Sequence, residues 1–334
     1  MKCFLLLFAI LCLENSVLAA DPITEPVLLE SRRIWDEAPH NAFTDLIRFQ
    51  DRWVCVFREG QGHVSPDGAL RVITSENAQQ WQSAALISSA DSDLRDAKIS
   101  ITPTGKLMLA GAEAIPHPDT GKTYKHQSLV WFSADGTNWS DKHAVAEPNF
   151  WLWRITWHKD KAYGFGYGTD DNERMVRLYS SDHGTQFQTL VENAAPDAGY
   201  PNETAMVFSP DDTCYCLLRR DGQQSSGLLG TSQPPYSQWS WNDLGVKIGG
   251  PSMIRLPDGR FIATVRLYDE KVRTSLCWVD VQEGTLTEAL ALPSGGDTSY
   301  AGMVWHDDLL WVSYYSSHEE KTCIYLAKVR FESK

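Results

Sequence analysis

The chain has 334 residues, with 30 Lys or Arg against 43 Asp or Glu and a net charge of -13. That balance argues against nucleic acid and anionic membrane surfaces as partners. Thirteen Trp, twelve Tyr and twelve Phe supply a large core, and beyond the N-terminus no apolar run reaches the roughly 18 residues that would suggest a membrane span.

The first element is a leader. Lys2 precedes an apolar stretch from Phe4 to Leu13, and small residues close the segment at Ala19-Ala20. This order of charge, short apolar run and small-residue cleavage site reads as a secretory signal peptide over residues 1–20. Cys12 follows Leu11, where a lipoprotein signal needs a small residue. The expectation is a secreted or periplasmic protein whose residues 21–334 form a single domain. Five cysteines follow the leader (Cys55, Cys214, Cys216, Cys277 and Cys323), all in apolar, strand-like runs. An odd number in such settings predicts buried free thiols rather than a disulfide framework.

Val27 to Trp35 predicts a first strand, placed to pair with Cys323 to Val329 at the far end of the chain. One pattern then recurs: an alternating apolar strand, a short polar turn and a second alternating strand. The copies begin at Ala42 (AFTDLIRFQDRWVCVFRE), Asp96 (DAKISITPTGKLMLAGAE) and Trp153 (WRITWHKDKAYGFGYG). Three more begin at Asn202 (NETAMVFSPDDTCYCLLRR), Pro251 (PSMIRLPDGRFIATVR) and Ser299 (SYAGMVWHDDLLWVSYY). A second repeat follows the hairpins. Ser75 to Trp81 (SENAQQW) matches Ser133 to Trp139 (SADGTNW), with further versions at Ser180 to Phe187 and Ser232 to Trp239. Ser and Asp side chains suit such a turn by bonding the local backbone, and Gly supplies positive φ. A repeat of roughly 50 residues, rich in strands and Trp, predicts an all-β fold: a six-bladed β-propeller of four-stranded antiparallel blades.

Ser-x-Asp-Gly-x-x-Trp resembles the Asp-box (BNR repeat) of the sialidase (neuraminidase) superfamily, and the likeness runs across nearly all of the chain after the leader. It implies a site at the mouth of the central channel, with a tyrosine nucleophile, a glutamate beside it, an aspartate acid/base and three arginines for the substrate carboxylate. Tyr300, opening the sixth hairpin, resembles the nucleophile. Glu203, opening the fourth, resembles its partner. Asp67, in the loop Arg58 to Gly68, stands where the acid/base is expected, and Asp96 resembles a substrate-contacting aspartate. Arg219 resembles the second arginine, with Arg220 as its alternative. Arg273 resembles the third by context, whereas repeat phase favours Arg266. The family's first arginine belongs to a Phe-Arg-Ile-Pro motif in the first hairpin. This chain reads Phe43-Thr44-Asp45-Leu46 there. The family's bracing glutamate also has no counterpart in Val312-Ser313-Tyr314-Tyr315, and Arg58 is the candidate replacement.

The chemistry explains these residue types. A sialic acid carries a carboxylate at its anomeric carbon, so a neutral phenol avoids the repulsion that a carboxylate nucleophile would meet. With an ordinary pKa of about 10 the phenol needs a base, the role for Glu203. Guanidinium groups grip a carboxylate through paired hydrogen bonds. Each residue also has a plainer reading: Tyr300 as a packed strand-end aromatic, Glu203 as a solvated loop carboxylate, Asp67 as a turn residue. His63 reads as a proton carrier, a substrate contact or a surface histidine. Trp151, Trp153 and Arg154 read as a sugar platform or as packing. No His, Asp or Glu cluster has metal-ligand spacing in sequence, so neither metal nor cofactor is expected. The expected partner is an anionic glycan. The expected activity is that of an exo-acting retaining glycoside hydrolase on sialic acid or a related anionic sugar, with a non-catalytic glycan-binding propeller as the alternative.

Overall fold

A computed structural model describes residues 25–121, 123–170 and 174–332; the leader at 1–20 lies outside them. Every named element is a strand. β1 (Glu25–Trp35) precedes a sheet of β2 (His40–Phe49), β3 (Arg52–Gly60), β4 (Ala69–Ser75) and β5 (Gln82–Ile87). A second sheet holds β6 (Asp93–Ile101), β7 (Leu107–Pro116), β8 (Thr123–Ser133) and β9 (His143–Val145). A third holds β10 (Phe150–His158), β11 (Lys161–Gly168), β12 (Val176–Ser181) and β13 (Gln188–Val191). A seven-stranded sheet follows. It runs through β14 (Tyr200–Phe208), β15 (Cys214–Asp221), β16 (Ser226–Ser232), β17 (Ser240–Arg255), β18 (Phe261–Leu267), β19 (Arg273–Asp280) and β20 (Thr285–Ala291). The last sheet combines β21 (Thr298–His306), β22 (Leu309–Ser316) and β23 (Cys323–Glu332) with β1.

Alternating apolar residues put every hairpin expected from sequence in place as an antiparallel pair: β2–β3, β6–β7, β10–β11, β14–β15, β17–β18 and β21–β22. β17 is longer than its peers. Its first half pairs with β16 and its second with β18, and left-handed backbone at Gly245 bends the chain near the change of partner. The first strands of the hairpins touch in cyclic order, β2 to β6, β10, β14, β17, β21 and back to β2. The sheets therefore surround a common axis as a β-propeller. β1 pairs with β23 from Glu25–Glu332 to Trp35–Ile324, so the two ends of the chain close one sheet and leave no free end in the ring.

Apolar clusters fill the gaps between neighbouring sheets. One joins Val54, Val56 and Leu70 of the first sheet to Leu94, Leu107 and Trp131 of the second. Another joins Phe165 and Leu178 to Cys216 and Leu218. The five cysteines are free and buried within these layers. The turns after the third strands have the expected chemistry. Asp135 Oδ1 accepts from the backbone N–H of Thr137 and Asn138, both at 2.8 Å, Gly136 has φ +75°, and Trp139 Nε1 donates to Gly136 O. Asn77 does the same work for Gln79 and Gln80. Among the described residues no helix is long and apolar enough to cross a membrane.

Candidate active site

One irregularity recurs at the mouth of the ring. In each of the six hairpins the first strand slips register near its start: between Ala42 and Asp45, Arg95 and Lys98, Leu152 and Arg154, Pro201 and Thr204, Gly249 and Ser252, and Ser299 and Gly302. A bulge re-aims the extra side chain and increases local twist. The residues within these slips include Phe43, Asp96, Trp153, Glu203, Gly250 and Tyr300. Phe43, Asp96 and Tyr300 hold φ values of +62°, +55° and +51°. Left-handed backbone costs a non-glycine residue about 1–2 kcal/mol, so the packing around these side chains has to sustain it.

The bulges bring Tyr300 and Glu203 together. Tyr300 Oη donates to Glu203 Oε1 at 2.6 Å. Arg219 Nη1 lies 2.8 and 2.9 Å from the two carboxylate oxygens and 2.9 Å from the phenol oxygen. Gly250 N–H donates to Glu203 Oε2 at 3.0 Å. A Cβ on Gly250 would come within 2.7–2.9 Å of the Tyr300 ring, so this glycine also allows the close approach. Tyr300 and Glu203 are each 7% exposed. Burial raises the Tyr300 pKa well above its usual value, the neighbouring Glu203 charge adds to this, and Arg219 and Arg266 oppose it. The phenol is therefore neutral at pH 7 and already hydrogen-bonded to the Glu203 side chain.

Aromatic rings wall the phenol. Phe43 and Trp153 meet the Tyr300 ring edge-on at 5.1 and 5.5 Å, and Tyr315 lies at 5.8 Å. Lys98 Nζ sits 6.0 Å from the Tyr300 ring and bonds the carbonyls of Thr44 and Ala97. Burial, helped by Arg154, pushes the Lys98 pKa down to about 8, against the pull of Asp45, Asp96 and Glu203. Burial raises the Asp96 carboxyl, with Arg95 and Lys98 opposing. Asp96 Oδ1 is buried without a hydrogen-bond partner.

The arginines sort by partner. Arg219, rather than Arg220, reaches Tyr300; Arg220 is held by Ser226 and Asp243. Arg266, rather than Arg273, stands over the Tyr300 ring at 5.3 Å, and bonds Thr298 O, Asp297 and Tyr315. Arg273 is clamped by Asp269 and Glu288, which takes the place of the substrate contact expected of it. Arg58 departs from expectation too. It is fully buried, and its guanidinium bonds Asp93, Gly62 O and Ser65. It fastens the 60–68 loop to the second sheet and offers a ligand no open face.

On that loop, exposed Asp67 accepts the Gln61 N–H at 3.1 and 3.2 Å. Its pKa is lowered, chiefly by a hydrogen bond from Ser65, which runs against the needs of a resting proton donor. Arg154 braces Asp45 and Ala301 O rather than lining a platform. Trp151 stacks with Tyr167 at 6.0 Å and 9°.

Sequence reasoning missed Arg95, whose guanidinium lies over Phe43 at 5.8 Å and Trp151 at 6.0 Å with a buried, unpartnered Nε. Its position beside Asp96 in a hairpin-opening bulge was the available signal. Sequence reasoning also missed His40 and Asp297. Asp297 Oδ2 lies 2.6 Å from His63 Nδ1 and 3.4 Å from His40 Nε2. Ligand atoms of these three residues all fall within 4.8 Å of one another, a cluster that linear spacing hides.

No family model and no curated relative matches the sequence. Solved structures match it in fold. A protein of unknown function from Dyadobacter fermentans superposes with a TM-score of 0.81 at 17% identity, over 92% of this chain and all of that one. Trypanosoma rangeli sialidase gives 0.70 at 12% identity over 87% of this chain, which spans only 55% of the sialidase. Penicillium chrysogenum α-L-arabinanase, solved with arabinobiose, gives 0.63 at 12% identity, over 91% and 98% of the two chains. The chain thus has the β-propeller fold found in sialidase and arabinanase glycoside hydrolases.

Proposed function

We propose that this chain is a secreted or periplasmic exo-acting, retaining glycoside hydrolase of the sialidase type, built as a six-bladed propeller with Asp-box turns and acting on a sialic acid or a related anionic sugar. The six-blade count is supported by β17, whose first half pairs with β16 and whose second half pairs with β18. The observation that carries the reading is the 2.6 Å hydrogen bond from Tyr300 Oη to Glu203 Oε1, with Arg219 on both groups. A nucleophile within reach of its base, and a base oriented by a third group, is the arrangement covalent catalysis requires.

In the first step Tyr300 Oη bonds to the anomeric carbon while Glu203 takes the phenol proton. The glycosidic C–O bond breaks, and the leaving oxygen takes a proton from an acid on the 60–68 loop, for which Asp67 is the candidate. Water then attacks the anomeric carbon and gives its proton to that residue, and the C–O bond to Tyr300 breaks as Glu203 returns the phenol proton. Arg95, Arg219 and Arg266 are the candidates for anion contact, and Asp96 for a sugar hydroxyl. Arg95 and Arg219 each hold a buried Nε without a protein partner.

A second reading, glycan binding without turnover, draws support from Phe43. In the two segments where the resemblance calls for an arginine and its glutamate brace, Phe43 and Tyr315 pack ring to ring at 5.3 Å. Release of 4-methylumbelliferone from its sialoside, compared between wild type and Tyr300→Phe, tests the first reading. The α-L-arabinofuranoside belongs in the same assay because of the arabinanase neighbour. Turnover of either glycoside that depends on Tyr300 supports hydrolysis. Calorimetric binding of free sialic acid without turnover supports the second reading.

A further inference from the structure

We propose that His40, His63 and Asp297 form a binding site for one late first-row divalent metal ion such as Zn²⁺, beside the aromatic wall of the Tyr300 pocket.

Two imidazoles and a carboxylate are the donor set that such ions prefer. The three residues come from the start of β2, the 60–68 loop and the turn before β21, so no local turn requires them to meet. Zn–N and Zn–O bonds of about 2.0–2.2 Å place neighbouring ligand atoms about 3.4 Å apart in a tetrahedral shell. His40 Nε2 and Asp297 Oδ2 already stand 3.4 Å apart. His63 Nδ1, at 2.6 Å from the same oxygen, has to retreat by about 0.8 Å to match. It is on an exposed side chain with room to do so.

The two oxygens of Asp297 divide their work. Oδ1 accepts from Tyr315 Oη at 2.6 Å and from Arg266 Nη2 at 3.0 Å. Oδ2 faces only the two histidines among its hydrogen-bond partners. Ligating carboxylates are characteristically fixed in this way, with one oxygen held by outer groups and the other turned to the metal. His40 is buried and its ring is packed by Phe43 and Tyr315, so one imidazole is set in advance. His63 is half-exposed, so the cluster is reachable from solvent.

The test is Zn²⁺ titration by calorimetry of the mature chain after dialysis against EDTA, without substrate, so the outcome is independent of the hydrolase reading. One Zn²⁺ per chain is expected. His63→Ala should weaken binding at least about 100-fold, while His183→Ala, at an exposed histidine outside the cluster, should leave it unchanged. His63 is exposed, so its loss spares the core, and His63→Gln provides the same reading with a bulkier side chain. No binding, binding untouched by both His63 variants, or equal loss in His183→Ala would each overturn the site and leave a hydrogen-bonded triad.

Discussion

Phe43 and Tyr300 meet edge to face at 5.1 Å, and both hold left-handed backbone in the opening bulge of a hairpin. The bulges lie on β2 and β21, neighbours in the ring. Each aims an aromatic side chain at the mouth, and the contact between the two rings helps to sustain backbone that would otherwise relax. Tyr300 is thus a packed aromatic whose ring belongs to the core and whose hydroxyl is the Glu203 partner.

Tyr300→Phe keeps the ring and removes the hydroxyl. Its kcat should fall on the order of 10³-fold or more with little change in KM. The thermal midpoint should move little, because Glu203 retains Arg219 and Gly250 N–H as donors. Steady-state kinetics on the hydrolysed glycoside, beside a melting curve, checks both.

Phe43→Arg should not restore an arginine site. Phe43 is 2% exposed, with Arg95 5.8 Å above its ring. The incoming guanidinium would lose the aromatic packing and face a like charge, at a cost of about 3–5 kcal/mol. A urea unfolding curve reads this as a large drop in midpoint; an unchanged midpoint would mean the pocket already has room for the arginine.

Gly302→Ala tests ring closure. A Cβ there would lie 2.0 Å from Leu46 N and 2.6 Å from Asp45 C, both backbone atoms of β2. Neither can rotate away, so β21 and β2 must separate, with an expected loss of about 3 kcal/mol. Denaturant titration of the variant measures it.

Lys98 supplies a pH signature. Its folded pKa of about 8 lies below the ordinary 10.5, so between those values the unfolded chain binds a proton that the folded chain has released. Stability contributed by this group therefore rises with pH from about 8 to 10.5. Buried tyrosines with raised pKa act in the opposite direction above pH 10. The comparison is therefore wild type against Lys98→Met, whose stability advantage or deficit relative to wild type should shift against the variant as pH climbs from 8 to 10.

The sequence by itself determined the strands, the hairpins and the turns. These depend on alternation, on Asp135 bonding residues two and three places ahead, and on Gly136 at positive φ, all of which are local. The resemblance named Tyr300 and Glu203, and their places at the openings of two hairpins put both in bulges at the mouth of the ring. Phase says where a side chain starts, not which partner captures it. Register makes Arg58, Arg220 and Arg266 equivalent, each opposite the residue before the opening bulge, yet Asp93 takes the first, Asp243 the second, and the third stands over Tyr300, while Arg219, one residue off that position, bonds the phenol. Only the tertiary structure decided this. It also decided the meeting of Asp297 with His63 and His40, which are 234 and 257 residues away along the chain. Ring closure makes neighbours of the first and last hairpins, and no linear spacing encodes that contact.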